Sequence, residues 1–164
     1  MDQAAITKHI TETFPGVLVV VGSREAGSPE LAWGDTFFIY DPDRSLPPAG
    51  QFPFATMVTK DYGDFDRASQ LDRPDVFRLN VGVGKETYRA LFGPQPAHPS
   101  MNEVVATGHD FAALDQLLPH PVYASQSWVC VLNPGATTFE AVRPLLADAY
   151  QQAARRYAKR ETHP

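Results

Sequence analysis

Residues 60–85 concentrate the side chains of this chain that could bind or react. Their sequence is KDYGDFDRASQLDRPDVFRLNVGVGK, in which charged residues surround one alternating run. From Phe77 to Gly84, apolar residues alternate with Arg78, Asn80 and glycines, and a period of two predicts a β-strand with one face buried. Arg78 and Asn80 then share the open face, where a guanidinium and an amide could bind a carboxylate, a phosphate or a partner's backbone.

The loop before this strand offers Arg78 a different role. The aspartates near it in sequence could pair with its guanidinium and brace the loop against the sheet; they are Asp64, Asp66, Asp72 and Asp75. Ion pairs of this kind occur in sites without function as well as in active sites. The number of nearby carboxylates favours the brace, and a ligand site stays open as the alternative.

Asp61, Asp64 and Asp66 form a D-x-x-D-x-D pattern of hard oxygen ligands that could share Ca²⁺ or Mg²⁺. The segment lacks the glycine and later glutamate of an EF-hand loop. Aspartate is also common in turns, because its side chain bonds the neighbouring backbone. We therefore predict turn chemistry here and no metal.

Three histidines, His98, His109 and His120, lack the short spacing that is typical of zinc ligands. No candidate nucleophile lies in a G-x-S-x-G elbow; the candidates, with His109 or His120 as base, are Ser69, Ser125, Ser127 and Cys130. The sequence therefore gives no catalytic residue and no cofactor, although an Asp–His–Ser site assembled in space stays open.

Gly82 and Gly84 precede a helix that we predict over residues 85–92, with Lys85 beside them. Backbone amides at a helix start can bind an anion. The third glycine of a dinucleotide fingerprint is missing, since Thr87 stands near its place. Gly84 is more simply the N-cap of that helix.

The composition indicates one globular domain over residues 1–164, with 43% hydrophobic and 20% charged residues. A net charge of −5 argues against non-specific binding of nucleic acid, which needs a basic face. The longest strongly apolar run, at 17–21, is too short to span a bilayer, and the N-terminus has no apolar signal region. Cys130 is the single cysteine, so no disulfide can form within the chain. Together, these features predict a soluble, cytoplasmic protein.

Elements follow from periodicity and turn residues. Asp2 should cap an N-terminal helix that carries Ile6 and Ile10. Strands are predicted at 17–22, as a central strand buried on both faces, and at 35–42, 54–61, 76–83 and 122–132. Helices are predicted at 85–92, after Asp110, and from a Thr137–Glu140 capping box to the C-terminus, with Pro144 kinking or splitting the last one.

This order predicts an α+β fold: an antiparallel sheet of about five strands with helices mainly on one face, an N-terminal helix and a long C-terminal helix.

Residues 120–156 resemble the closing segment of MmcQ/YjbR-like proteins: His120, a strand with Trp128, a turn at 133–135, and a helix with Asp148 just before Tyr150. The resemblance implies a compact α+β fold related to the double-wing arrangement, sometimes supposed to bind DNA. Residues 53–93 resemble a bacterial family known only as a domain of unknown function, and that match would cover nearly the whole chain. It implies no activity.

We therefore predict a non-catalytic module that binds a small anionic ligand or a protein partner through the polar sheet face and the 60–73 loop. The expected contacts are Lys60, Tyr62, Asp64, Asp66, Arg67, Arg73, Arg78, Asn80 and His120. One alternative is a small hydrolase or transferase that uses Asp64 or Asp66 with His120. A DNA-associated regulator is a further alternative, favoured only by analogy of fold.

Overall fold

The structure, a computed structural model, describes residues 1–162. Its centre is a six-stranded antiparallel sheet in the order β1-β2-β3-β4-β6-β5. The strands are β1 (Val17–Val21), β2 (Thr36–Tyr40), β3 (Ala55–Val58), β4 (Arg78–Gly82), β5 (Leu117–Pro119) and β6 (Trp128–Leu132). The helices are α1 (Gln3–Thr13), α2 (Lys85–Phe92) and α3 (Ala136–Thr162). The predicted α+β class and its two terminal helices are confirmed.

One face of the sheet packs against helices. Leu79 and Val81 of β4 share a large apolar core with Ile10 of α1 and with Val142 and Leu146 of α3. Alternation in β4 sends the intervening residues to the other face. The main core therefore lies on one side of the sheet, and Arg78 and Asn80 lie on the opposite side.

Strand register lines up the residues of this second face. Thr56 of β3, Asn80 of β4 and Cys130 of β6 form one row across the three central strands. A neighbouring row contains Val58, Arg78 and Leu132, and Gly82 pairs with Trp128.

A loop covers part of the second face. Leu71 packs in a small core with Val58, Leu118, Cys130 and Leu132. Arg78 is 1% exposed and Asn80 is also buried. The prediction that this face is open was therefore wrong at these two residues, because the apolar side chain of Leu71 brings the 60–73 loop down onto the sheet.

Several predicted elements need correction at the sheet edges. β1 is an edge strand with partly exposed side chains, not a central strand. The strand expected at 122–132 begins only at Trp128, because Ser127 takes a left-handed conformation with φ of 68° after a short 3-10 turn. The helix expected after Asp110 is absent from the described residues, and Leu117–Pro119 forms β5 instead, a sixth strand where about five were predicted.

Pro119 lies in β5, which is an edge strand of the sheet. Proline has no backbone N–H to donate, and an edge strand tolerates this loss.

The terminal helices differ in how well their ends were predicted. α1 begins as expected, with Oδ1 of Asp2 accepting the backbone N–H of Ala5 at 2.8 Å. α3 begins at Ala136, so Thr137 lies inside its first turn and is not the N-cap. At that end Asp115 accepts the backbone N–H of Gly135 at 2.7 Å. The helix then continues through Pro144 and is not split there.

Within residues 1–162, no helix combines the length and the apolar character that a membrane crossing requires.

Candidate functional site

A cleft of about 750 Å³ opens on the second face of the sheet, beside the part that the 60–73 loop covers. Its floor includes Thr56, Arg78 and Asn80. Aromatic side chains make up much of its wall, namely Phe37, Phe52, Tyr62, Phe65, Tyr123 and Trp128. A largely apolar cleft of this size with a few convergent polar groups has the usual character of a small-molecule site.

Arg78 is the centre of the polar floor. Its Nη1 and Nη2 donate to the two carboxylate oxygens of Asp66, at 3.1 and 2.6 Å. Nη1 also donates to Oγ of Ser69 at 2.9 Å, and Nε donates to Oδ1 of Asn80 at 2.7 Å. Asn80 in turn donates to Oγ1 of Thr56 at 3.0 Å. Arg78 therefore braces the loop against the sheet while it lines the cleft.

His120 completes the polar floor from the segment between β5 and β6, and it is 2% exposed. Its Nδ1 lies 3.0 Å from the backbone nitrogens of both Val122 and Tyr123. A backbone N–H can only donate, so Nδ1 must be the acceptor and carry no proton. In the neutral ring the proton is then on Nε2, which lies 3.2 Å from Nη2 of Arg78.

The charges of this group follow from burial and from each other. Burial, followed by the nearby charge of Arg78, lowers the pKa of His120 to about 3, against an opposing effect of Asp66. Burial alone would raise the pKa of Asp66, but hydrogen bonds and charge from Arg78 outweigh it and hold that pKa below its usual value. At neutral pH the group therefore consists of a cation, an anion and an uncharged imidazole.

A second buried carboxylate fixes the start of the loop. Asp35 accepts the backbone N–H and the hydroxyl of Thr59 at 2.9 and 3.0 Å. It also accepts a hydrogen bond from the hydroxyl of Tyr62 and lies 3.7 Å from Nζ of Lys60. Burial, and next the bond to Asp35, raise the pKa of Tyr62. Tyr62 is thus held as a neutral donor at one wall of the cleft.

The rest of the loop is closed by its own polar groups. Asp61 accepts the backbone N–H of Leu71 at 2.9 Å, and Asp72 accepts that of Asp61 at 3.1 Å. Arg73 donates to the carbonyls of Ser69 and Ala112, both at 3.0 Å. The loop is therefore an internally bonded segment that holds Tyr62 and Asp66 in place.

The structure separates the nine predicted contact residues into two groups. Five line the cleft, namely Tyr62, Asp66, Arg78, Asn80 and His120. Four lie outside its lining, namely Lys60, Asp64, Arg67 and Arg73. Lys60 and Arg73 bind backbone carbonyls, and Arg67 pairs with Asp64 at 3.2 Å on the exposed side of the loop.

The three carboxylates of the D-x-x-D-x-D pattern diverge: Asp61 accepts the N–H of Leu71, Asp64 binds Arg67, and Asp66 binds Arg78. In the described part of the chain, no group of three or more His, Cys, Asp or Glu side chains could hold a metal ion. The histidines outside the cleft also contact different residues: His98 contacts Ser125, and His109 contacts Thr107.

The turn before α2 is occupied by a side chain of the protein itself. Gly84 is its N-cap, as predicted. The backbone N–H of Gly84 donates to Oδ2 of Asp148 in α3 at 2.7 Å. A carboxylate thus already lies where an anion was considered, so the turn serves to join α2 to α3.

Apart from Tyr62, sequence reasoning missed the aromatic wall of the cleft. Phe52 and Phe65 lie in loops and show no periodicity, although Phe65 stands inside the segment that was singled out. Trp128 entered only through the family resemblance. Its register partner is Gly82, where an added Cβ would lie 2.8 Å from the indole ring. That glycine leaves room for a large ring beside the cleft.

Comparison with known proteins identifies the family. The family model described as a family of unknown function, DUF6194, matches residues 1–162, and the chain belongs to this family. Neither the curated proteins nor the solved structures contain a match to the chain. The resemblance to MmcQ/YjbR-like proteins, the bacterial origin and the cytoplasmic location stay predictions.

Proposed function

We propose that this member of the DUF6194 family binds a small, largely apolar molecule in the cleft on the second face of its sheet. The observation that carries the proposal is the cleft itself: about 750 Å³, walled by aromatic rings, above a buried polar group of Arg78, Asp66 and His120. Aromatic walls supply contact area, and a few fixed polar groups orient a ligand. The proposal thus assigns the predicted binding role to this one cleft.

The protonation state and the hydrogen bonds of His120 favour a role in binding over a role in catalysis. A general base needs a free lone pair and a pKa near the working pH. Nδ1 of His120 already accepts two backbone N–H groups, and its pKa lies near 3. Of the two carboxylates considered as its catalytic partner, Asp66 is bound on both oxygens by Arg78, and Asp64 pairs with Arg67 outside the cleft lining. These contacts support a role of His120 as a fixed donor.

Two of the four candidate nucleophiles, Ser69 and Cys130, are also engaged or buried, and the other two do not line the cleft. Oγ of Ser69 accepts from Arg78 and the residue is 1% exposed. Burial raises the pKa of Cys130 to about 12, so its thiol is protonated at neutral pH. A hydrolase or transferase at this site would have to draw its nucleophile from elsewhere.

The proposal is tested with a panel of small aromatic and aliphatic compounds, each carrying one polar group. Trp128 lines the cleft, so its emission should respond to binding. The variant Trp33→Phe removes the other tryptophan and makes Trp128 the only reporter. We expect at least one compound to shift this emission in a saturable way and to raise the melting temperature by ligand linkage.

Two matched loop variants locate the binding. Phe65→Ala removes an exposed ring from the cleft wall, whereas Met101→Ala removes an exposed apolar side chain that does not line it. Phe65→Ala should weaken binding, and Met101→Ala should leave it unchanged. Equal effects of the two variants, or no compound that binds, would contradict a ligand site in this cleft.

A further inference from the structure

The floor of the cleft contains two hydrogen-bond donors that face each other. Nε2 of His120 and Nη2 of Arg78 are 3.2 Å apart. Nδ1 of His120 is committed as an acceptor, so Nε2 carries the ring proton, and an arginine nitrogen can only donate. This contact is therefore not a hydrogen bond between the two side chains.

The remaining N–H groups of Arg78 are already used. Nε binds Asn80, Nη1 binds Asp66 and Ser69, and one hydrogen of Nη2 binds Asp66. The second hydrogen of Nη2 is the one that lies on the side of His120. Across residues 1–162, Nε2 of His120 has no contact within hydrogen-bond distance other than this one. Two deeply buried N–H groups thus converge beside the cleft that both residues line.

Buried donors without an acceptor are costly, so a site of this kind is complete only when an acceptor atom bridges them. We propose that the ligand of this cleft carries an uncharged oxygen acceptor, a carbonyl or amide oxygen, which accepts from Nη2–H of Arg78 and Nε2–H of His120 together. This inference rests on the proposed function and names the ligand class for the same cleft. The apolar body of the ligand then lies against the aromatic wall.

Charge decides between an uncharged oxygen and a carboxylate. Asp66 already neutralises Arg78 through both of its oxygens, and His120 is uncharged. Asp35 and Lys60, at the adjacent start of the loop, are likewise an opposite pair. A carboxylate added to this floor would be a buried charge with no unpaired cation beside it. Burying such a charge is unfavourable in free energy. The prediction of an anionic ligand treated Arg78 as a free cation. In the structure, Asp66 is the partner of that cation.

The rim of the cleft holds one further cation, Arg156 of α3, an exposed residue. A carboxylate ligand would have to reach this residue and leave the buried donor pair. Arg156→Gln therefore separates the two modes of binding. It should weaken the binding of a carboxylate ligand more than the binding of a ligand that is held through an uncharged oxygen.

The experiment uses three probes with one aromatic body: 2-naphthamide, 2-naphthoate and 2-methylnaphthalene, with affinity measured through the emission of Trp128 in the Trp33→Phe background. We expect the amide to bind about tenfold more tightly than the hydrocarbon, as one well-formed hydrogen bond to a charged donor allows. The naphthoate should bind more weakly than the amide.

The key variant is His120→Asn. Asparagine can accept backbone N–H groups two and three residues ahead, as Nδ1 of His120 does, but it is too short to place a donor at Nε2. It should keep the fold and lose the preference for the amide over the hydrocarbon. His120→Phe, which removes donor and acceptor together, gives the comparison for lost stability.

A direct measurement on the unmutated chain supports the variants. In ¹⁵N-labelled protein, 2-naphthamide should move the Nε2–H resonance of His120 downfield, and 2-methylnaphthalene should not. Equal affinity for amide and hydrocarbon, or an unchanged preference in His120→Asn, would overturn the inference while the proposed cleft stands. Tighter binding of naphthoate that Arg156→Gln abolishes would also overturn it. If neither the three probes nor any compound of the panel binds, the proposed function fails and this inference with it.

Discussion

Asp66 accepts hydrogen bonds from both terminal nitrogens of Arg78, at 3.1 and 2.6 Å. A carboxylate of the loop and a guanidinium of β4 thus form one bidentate ion pair inside the protein. Both side chains are buried. The pair joins the 60–73 loop to β4 and also places Nη2 of Arg78 at the cleft. Stability of the loop and shape of the site therefore depend on the same contact.

Arg78→Ala should strongly destabilise the protein, because it leaves the carboxylate of Asp66 buried and unpaired. Loss of one partner of a buried ion pair costs about 3–5 kcal/mol of unfolding free energy. Arg67→Ala is the matched control, since it breaks the exposed pair with Asp64 and should cost less than about 1 kcal/mol. Denaturant unfolding measures both, and equal losses would show that Asp66 and Arg78 are not coupled as described.

The lowered pKa of His120 should make stability depend on pH. The folded protein binds this proton only near pH 3, whereas the unfolded chain binds it near the ordinary value of 6.5. Between these values the unfolded state holds more protons, so unfolding free energy falls as pH falls, by up to about 1.4 kcal/mol per pH unit. His120→Asn should show a shallower decline from pH 6.5 to 4. Parallel curves for the two proteins would mean that His120 titrates normally.

Tyr62→Phe should loosen the start of the loop, because it removes the hydroxyl that donates to buried Asp35. Tyr123→Phe is the control: it changes another cleft tyrosine whose hydroxyl has no hydrogen-bond partner within residues 1–162. Hydrogen exchange at the backbone amides of 59–66 should be faster in Tyr62→Phe and unchanged in Tyr123→Phe. Unchanged exchange in both variants would remove Tyr62 as an anchor of the loop.

Cys130 should resist thiol reagents in the native protein. Its side chain is 1% exposed, and burial raises its pKa to about 12, so very little thiolate forms at pH 8. Mass spectrometry after treatment with iodoacetamide should show modification only in denaturant. Rapid labelling of the folded protein would contradict the packing of β6 against Leu71 and Leu118.

Local signals predicted much of the fold. Asp2 capped α1, Gly84 and Gly93 bounded α2, and the alternation around Arg78 gave β4. The errors arose where tertiary position outweighs local pattern. The VLVVV run of β1 reads as central, yet its position at the edge depends on the order of all six strands, which a short apolar run does not contain.

The site was predictable only in part, for a similar reason. Alternation placed Arg78 and Asn80 on one face, and the nearby aspartates predicted a brace, but their spacing could not select Asp66 over Asp64, Asp72 or Asp75. His120 came near Arg78 through the pairing of β4 with β6. Its protonated nitrogen depends on two backbone N–H groups, a contact that no sequence pattern records.

The most direct test of the account is the protonation state of His120, read from the ring nitrogens in long-range ¹H–¹⁵N spectra and assigned by comparison with His120→Asn. We predict a neutral ring with the proton on Nε2 at pH 7, unchanged down to pH 4.5, and therefore two donors facing each other at the cleft floor. A proton on Nδ1, or a charged ring at pH 6, would contradict the donor pair and the ligand class inferred from it.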